Sequence, residues 1–450
     1  MSLPRYPEYK DSGVSWIGHV PSHWNIDRIK ASIASARNGI WGDEPQGNEN
    51  DIACVRVADF DRGRLRVKQL IPTMRSVTEK ERADRVLRTG DLLLEKSGGG
   101  ELQPVGQIVL YQLNTPAVCS NFVARVALKP GMCADYWNYV HSAAYAVGVN
   151  VGSINQTSGI QNLDQDRYFN ERAPFPPEPE QTAIAAFLDR ETAKIDALIA
   201  EQEKLIALLA EKRQATISHA VTRGLNPNTP MKDSGVAWLG EVPAHWGVAA
   251  LKRLWSVTDC KHITAEFVDD GYPLASIREV QSRYVSLDAA KRTTQLYYEQ
   301  LIDGGRRPQP GDLIFSRNAT VGEVAQVTDK HPLFAMGQDV CLLRRLSHKS
   351  SSDFMQFVIC SDIVVEQLKN IMVGSTFKRV NVEEIRALQV PIPPPDEQFQ
   401  IAAFIAEENE KLDGLEKEAE RAIDLLKERR SAFIAAAVTG QIDVRGLATL

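Results

Sequence analysis

The 450-residue sequence predicts an α+β protein with a pseudo-twofold internal repeat: two tandem globular domains separated by two long helices packed as an antiparallel coiled coil. Three echoes carry that expectation. KDSGVSWIGHVPSHWNIDRIK, from Lys10 to Lys30, returns as KDSGVAWLGEVPAHWGVAALK, from Lys232 to Lys252, with 12 of 21 positions identical. RTGDLLLEKSGGG, around Gly90 and Asp91, returns as QPGDLIFSRNATVG, around Gly311 and Asp312. PFPPEPEQTAIAAFLDRETAKIDAL, from Pro174, returns as PIPPPDEQFQIAAFIAEENEKLDGL, from Pro391. Three echoes in one order mean duplication of a whole unit. The interval between copies shrinks from the first echo to the third, which places insertions or deletions inside each copy.

Each copy divides into a mixed part and a helical part. In residues 1–173, β-rich runs such as DIACVRVADF, GDLLLEK, GQIVLYQL and FVARVAL alternate with Gly, Asn and Pro punctuation, and DYWNYVHSAAYAV reads as helix. Residues 226–390 repeat the pattern. Residues 174–225 and 391–450 open on prolines, which precede or start a helix, and then run about 40 residues with Gly414 the one interruption. At 1.5 Å per residue such a helix is about 60 Å long. Ile184, Leu188, Ile195, Leu198, Leu205 and Leu209 form an apolar seam on the first; Ile401, Ile405, Leu412, Leu415, Ala422 and Leu426 are their counterparts on the second. A narrow seam requires a partner helix, and the nearest partner for each is the other. Glu191, Gln202 and Lys212 interrupt the first seam with polar groups. Gly224 and Gly440 stand where C-caps belong.

Composition is that of an ordinary folded protein, 43% hydrophobic, 24% charged and 7% aromatic. Net charge is −6, so no overall basic character announces a polyanion partner. Resolved by part, residues 1–173 carry +1, 174–225 carry −2, 226–390 carry 0 and 391–450 carry −5. The acidity thus belongs to the helices. Six scattered cysteines form no CxxC pair or zinc-spaced cluster and are expected as reduced thiols. With neither a signal peptide at the start nor a membrane-length apolar run, a cytoplasmic protein is expected.

Catalytic motifs are sparse. The Pro-Pro runs, FPPEP and IPPPD, lack the flanking Asn/Asp and aromatic residue that an adenine methyltransferase uses to hold a flipped base. GGG at Gly98 to Gly100 lacks the Lys-Ser/Thr of a phosphate loop, and no HExxH occurs. His19 and His23 have Glu241 and His245 as copies, which breaks a metal pair, and no metal is expected. Trp16 and Trp24, copied as Trp238 and Trp246, read as packing residues.

The two HVPSHW/EVPAHW openings, the two GDL segments and the two FPPEPEQTAIAAFLD/IPPPDEQFQIAAFIA segments resemble, in that order and over essentially the whole chain, the specificity subunit of Type I restriction-modification systems. The resemblance implies target-recognition domains at 1–173 and 226–390, each reading one half of a bipartite double-stranded DNA site. It implies that the helices at 174–225 and 391–450 are a spacer fixing the gap. It further implies a non-catalytic chain without its own cofactor, two methyltransferase subunits using S-adenosylmethionine, and restriction subunits using ATP and Mg. The alternative is a helical scaffold that reads no DNA.

Base readers should be polar and lie on loops after framework segments, where the copies differ. That selects Lys96, Ser97, Asn155, Gln156, Thr157, Gln161 and Asn162 in the first domain. In the second it selects Arg317, Asn318, Thr320, Ser375, Thr376, Lys378 and Arg379.

Overall fold

The computed structural model describes residues 4–157, 159–372 and 379–447. The chain folds as two compact units, the first Met1–Gln202 with Arg421–Leu450 and the second Glu203–Glu420.

Unit 1 is built on strands β1 (Ile33–Asn38), β2 (Asp51–Val55), β3 (Leu92–Glu95), β4 (Ser97–Gly98), β5 (Ile108–Leu110), β6 (Ala117–Cys119) and β7 (Val123–Leu128), helix α1 (Ala134–Ala146), the hairpin β8 (Ile154–Thr157) to β9 (Ile160–Leu163), and the start of the long helix α2 (Glu178–Arg223). The main sheet has the order β1-β7-β3-β5, extended by the short strands Arg66–Val67 and Phe60–Asp61. β6 pairs in parallel with β2, and β4-β9-β8 form a separate antiparallel sheet. Unit 2 repeats the plan with β10 (Trp255–Asp259), β11 (Tyr272–Ala275), β12 (Leu313–Ser316), β13 (Val324–Gln326), β14 (Ala335–Met336), β15 (Val340–Arg345), α3 (Ser352–Cys360), α4 (Asp362–Met372) and the long helix α5 (Pro395–Val438). Its main sheet is β10-β15-β12-β13, and β11 pairs in parallel with β14.

The GDL segments show why the sequence repeats. Successive side chains on a strand point to opposite faces. Leu92 and Leu94 therefore enter a core with Trp24, Trp137 and Leu188, whereas Leu93 enters another with Val55, Val109 and Cys119. In unit 2, Leu313 and Phe315 join Trp246 and Ile405, and Ile314 joins Ala275 and Val340. A strand buried on both faces needs a continuous apolar run. Gly90 and Gly311 precede these strands at φ 95° and 90°, a conformation that glycine adopts without a Cβ penalty. Asp91 and Asp312 follow, ion-paired to Arg125 and Arg344 at 2.6 Å each.

Each KDSGV segment folds into a hairpin, Tyr9–Asp11 with His19–Pro21 and Met231–Asp233 with Glu241–Pro243. Its second tryptophan then anchors a long helix. Trp24 Nε1 donates to Glu180 Oε2 at 2.8 Å, and His23 Nε2 lies 2.7 Å from Glu180 Oε1. Trp246 and His245 hold Glu397 in the same way, at 2.6 and 2.7 Å. These histidines are clamps on a carboxylate at a helix start. Trp16 donates to the Arg172 carbonyl at 3.2 Å, and Trp238 is 44% exposed.

The boundary between the units falls inside α2 and α5. Neither helical segment, 174–225 or 391–450, is a body of its own, because each half-helix buries its apolar stripe in the core beside it. In unit 1 Ile184, Leu188, Ile434, Ala437 and Val438 share one core. In unit 2 Ile217, Ala220, Val221, Ile401 and Ile405 do. Within unit 1, Phe187 meets Phe433 and Asp196 meets Arg430 at 3.3 Å, so the two helix segments run antiparallel. Within unit 2, Arg213 bridges Asp413 at 2.5 Å and Glu416 at 3.1 Å. Arg213 and Arg430 are separated by the same interval as Asp196 and Asp413, and as Pro174 and Pro391, so both units use one ion pair across the helices.

The seam itself differs from the sequence reading. Ile184, Leu188, Ile195, Leu209, Ile401, Ile405 and Leu412 are buried, and Leu426 is half-buried. Leu198, Leu205 and Leu415 are 51%, 40% and 53% exposed, and Lys212 is exposed. From Ile195 the covered stripe passes through Ile199, Gln202 and Ile206 to Leu209. Leu198 and Leu205 follow from a three-residue step where the helix takes four; the two choices stand about 100° apart around a helix of 3.6 residues per turn.

Both long helices end on a left-handed glycine, Gly224 at φ 72° and Gly440 at φ 73°. A Cβ at Gly440 would lie 2.3 Å from Pro21 Cδ. Gly440→Ala is expected to destabilise unit 1 by about 1–3 kcal/mol, measured as a lower urea midpoint by circular dichroism. Gly414→Ala, with nothing within 4 Å of its added Cβ, serves as control, and equal midpoints for the two variants would refute the packing argument.

Among the described residues no helix is long and apolar enough to cross a membrane. All six cysteines are free, and burial pushes the Cys54 and Cys119 thiols up to about 11 and about 12.

Candidate nucleic-acid interface

In unit 1 the two segments selected from the sequence come together in one sheet. β4 pairs with β9, matching Ser97 to Asn162 and Gly98 to Gln161; β8 pairs with β9, matching Asn155 to Asn162 and Gln156 to Gln161. Residues directly opposite on antiparallel strands share a face, so Ser97, Asn162 and Asn155 form a polar row across three strands. Ser97 Oγ donates to Asn162 Oδ1. Asn155, Gln156 and Asn162 are exposed, with amide donors and acceptors that match the edge of adenine. Thr157 closes β8, and its side chain lies outside the described residues.

Two of the selected residues face other work. Gln161 is 7% exposed, and its Oε1 accepts from the buried Val105 N–H at 3.2 Å. Its amide satisfies a backbone group that would otherwise be buried unpaired. Lys96 is half-buried; its Nζ donates to Asn38 Oδ1 at 2.6 Å, and burial lowers its pKa below the ordinary lysine value.

Unit 2 carries the same construction with different chemistry. Arg317, the copy of Lys96, is 4% exposed. Its guanidinium pairs with Asp259 and donates to the Val380 carbonyl at 3.3 Å. It is a framework cation and not a free reader, since a buried guanidinium needs its donors filled. Asp259 stands at the end of β10 as Asn38 does at the end of β1. The interval from Asn38 to Asp259 equals that from Lys96 to Arg317 and that of the GDL echo, and this signal in the sequence was available to find both partners. The backbone matches too. Lys96 N–H donates to the Phe122 carbonyl at 2.8 Å and the Lys96 carbonyl accepts from Leu163 at 2.8 Å; Arg317 N–H donates to Asp339 at 2.8 Å and its carbonyl accepts from Val380 at 3.0 Å.

Asn318 and Arg379 form a bridge equivalent to Ser97 with Asn162. Arg379 is exposed, with Nη2 3.6 Å from the Asp339 carboxylate. Asn318 Oδ1 accepts from Ala319 N–H at 2.9 Å, and Thr320 Oγ1 lies 3.2 Å from Ser316 Oγ. Ser375, Thr376 and Lys378 lie outside the described residues. Donor atoms of Asp259, Cys260 and His262 lie within 4.8 Å of one another, but Asp259 is already the counterion of Arg317 and burial raises the Cys260 thiol.

The chain is similar to known proteins. Residues 272–423 match the family model of the Type I restriction modification DNA specificity domain. The chain is 20% identical to the putative type I restriction enzyme MjaX specificity subunit of Methanocaldococcus jannaschii, over 95% of this chain and 96% of that one. It is 22% identical to the MjaVIII specificity subunit of the same organism, over 66% and 68%. With the EcoKI specificity subunit of Escherichia coli it shares 20% identity over 94% and 90%. A chain solved in work on complex assembly and conformational transition of the type I R-M system has the same fold, with a TM-score of 0.63 at 15% identity over 93% of this chain and 98% of that one. A duplicated scaffold, a match to the Type I restriction modification DNA specificity domain inside its second copy and likeness over nearly the whole chain to two specificity subunits lead to one conclusion: the chain is similar throughout to the specificity subunits of Type I restriction-modification systems and carries their domain at residues 272–423.

Proposed function

We propose that this chain is the non-catalytic, sequence-reading subunit of its system. Each unit reads one half of a bipartite double-stranded DNA site, with α2 and α5 setting the gap. The observation that carries this reading is the pairing of a shared framework with a divergent rim. Lys96 and Arg317 sit in matching backbone hydrogen bonds, yet the exposed groups beside them are Asn155, Gln156 and Asn162 in unit 1 and Arg379 in unit 2. Amides suit adenine and a guanidinium suits guanine, so one scaffold presents two specificities.

The chain directs two methyltransferase subunits, which use S-adenosylmethionine, and restriction subunits, which use ATP and Mg, to that site in the cytoplasm. The domain charges of +1 and 0 leave little phosphate attraction in this chain alone. Affinity and its salt dependence then come largely from the partners, because phosphate contacts dominate both.

Replacing residues 1–173 by the corresponding segment of a relative should change one half of the methylated site and leave the other half and the gap intact. Methylation mapping in cells carrying the complete system measures this directly. A change in both halves, or in neither, would overturn the modular reading.

A further inference from the structure

A hollow lies beside each rim, and both units build it from equivalent elements. In unit 1 the parallel pair β2 and β6 ends at Val55 and Cys119, and Ser120 N–H donates to the Val55 carbonyl at 2.9 Å. In unit 2 the pair β11 and β14 ends at Ala275 and Met336, and Gly337 N–H donates to the Ala275 carbonyl at 2.8 Å. A capped 3-10 turn follows the first strand of each pair, opened by Arg56 with Asp59 and by Ser276 with Glu279. The space between that turn and the end of the second strand is a hollow of about 420 Å³ in unit 1 and about 500 Å³ in unit 2.

The linings diverge where the frameworks agree. Unit 1 places Trp41, Arg56, Asn121 and Phe122 there; unit 2 places Phe267, Arg278, Lys291 and Gln338. Arg56 is half-buried, and its Nε is buried without a hydrogen-bond partner, 3.6 Å from the Asp59 carboxylate. Asn121, Arg278 and Gln338 are exposed. Phe122 and Phe267 are exposed aromatics, and the Lys291 ammonium sits 4.3 Å above the Phe267 ring. The hollow is continuous with the rim: the Phe122 carbonyl accepts from Lys96 N–H, and Asp339, the counterpart of Phe122, holds both Arg317 N–H and Arg379.

We infer that Arg56 and Asn121 in unit 1, and Arg278 and Gln338 in unit 2, are specificity-determining residues that take base-pair edges of double-stranded DNA in these hollows. A guanidinium and a carboxamide are the two side-chain groups that read guanine and adenine by paired hydrogen bonds, and an aromatic edge suits the thymine methyl. The proposal rests on the DNA-reading function above and extends it to a second base position in each half-site.

The test is methylation mapping with the complete complex carrying Arg56→Ala with Asn121→Ala, beside Arg56→Lys, which keeps the charge and loses the planar fork. A rim variant, Asn155→Ala with Asn162→Ala, runs in parallel. The expected result is a loss of discrimination of about tenfold or more at one or two base pairs of a single half-site, distinct from the pairs relaxed by the rim variant. An unchanged second half-site certifies that the complex is assembled. If the rim variant relaxes its half-site and the hollow variants do not, the inference fails and the general reading stands. Uniform weakening over all sequences, most of it restored by Arg56→Lys, assigns the hollow to phosphate contact and overturns base reading. If neither set alters either half-site, both fail together.

Discussion

Trp24→Ala is expected to destabilise unit 1 by about 3–5 kcal/mol, the usual cost of deleting a fully buried large aromatic side chain. Trp24 is 0% exposed and packs beside Gly440, and its indole N–H fills one oxygen of Glu180. The substitution removes apolar area and also takes the indole donor from a carboxylate in a largely closed site, where Tyr6, His23 and Arg445 remain its partners. For a domain whose total stability is about 5–15 kcal/mol, that is a large fraction. Urea unfolding of the full chain, followed by circular dichroism, measures it. Trp238→Ala, at a 44% exposed position, should cost under about 1 kcal/mol. Equal losses at the two tryptophans, or a negligible loss at Trp24, would refute the anchor role.

Stability should also fall with acid, by about 2 kcal/mol between pH 7 and pH 5 from one residue. His141 on α1 is buried against Trp137 and Tyr168, with Nδ1 2.9 Å from the Tyr168 hydroxyl and Nε2 unpaired. Burial pushes its pKa down from 6.5 to about 3. Between these values the unfolded chain binds a proton that the folded chain refuses. Stability is therefore full above about pH 6.5 and is lost progressively as the pH falls towards 3. His141→Gln keeps a hydrogen-bonding group for Tyr168 and removes the titration. Between pH 7 and pH 5 the stability of this variant should fall by about 2 kcal/mol less than that of the parent. Identical pH slopes for parent and variant would show that the imidazole is not held neutral.

Much of the architecture was legible before any coordinates. The GDL echo marked two strands, and the tryptophans of HVPSHW and EVPAHW read as packing residues; the structure added that those strands are buried on both faces and that Trp24 and Trp246 anchor helix starts. The polar segments around Lys96 and Asn155 were chosen separately and meet in one sheet. Their individual roles were less legible. Gln161 and Asn162 are neighbours of like polarity, yet strand alternation sends one to a buried backbone amide and leaves the other exposed. Leu198 and Ile199 are equally apolar, and only the phase of the packed helix decides which one is covered.

The repeat and the fold class belong to the sequence alone, because they rest on local identity and periodicity that need no partner to be read; the family entered as a resemblance carried by the same repeated motifs. Arg317 marks where that reach ended. It stands in a polar segment after a strand, as a free reader would, but its counterion is Asp259, 58 residues earlier. Arg379 looks no different in the sequence and keeps an exposed guanidinium. The tertiary structure decided which charges are consumed inside the framework, which helix face is covered and where each hollow opens. Those outcomes depend on which distant segments desolvate one another, and a buried charge must find its partner wherever the fold brings one.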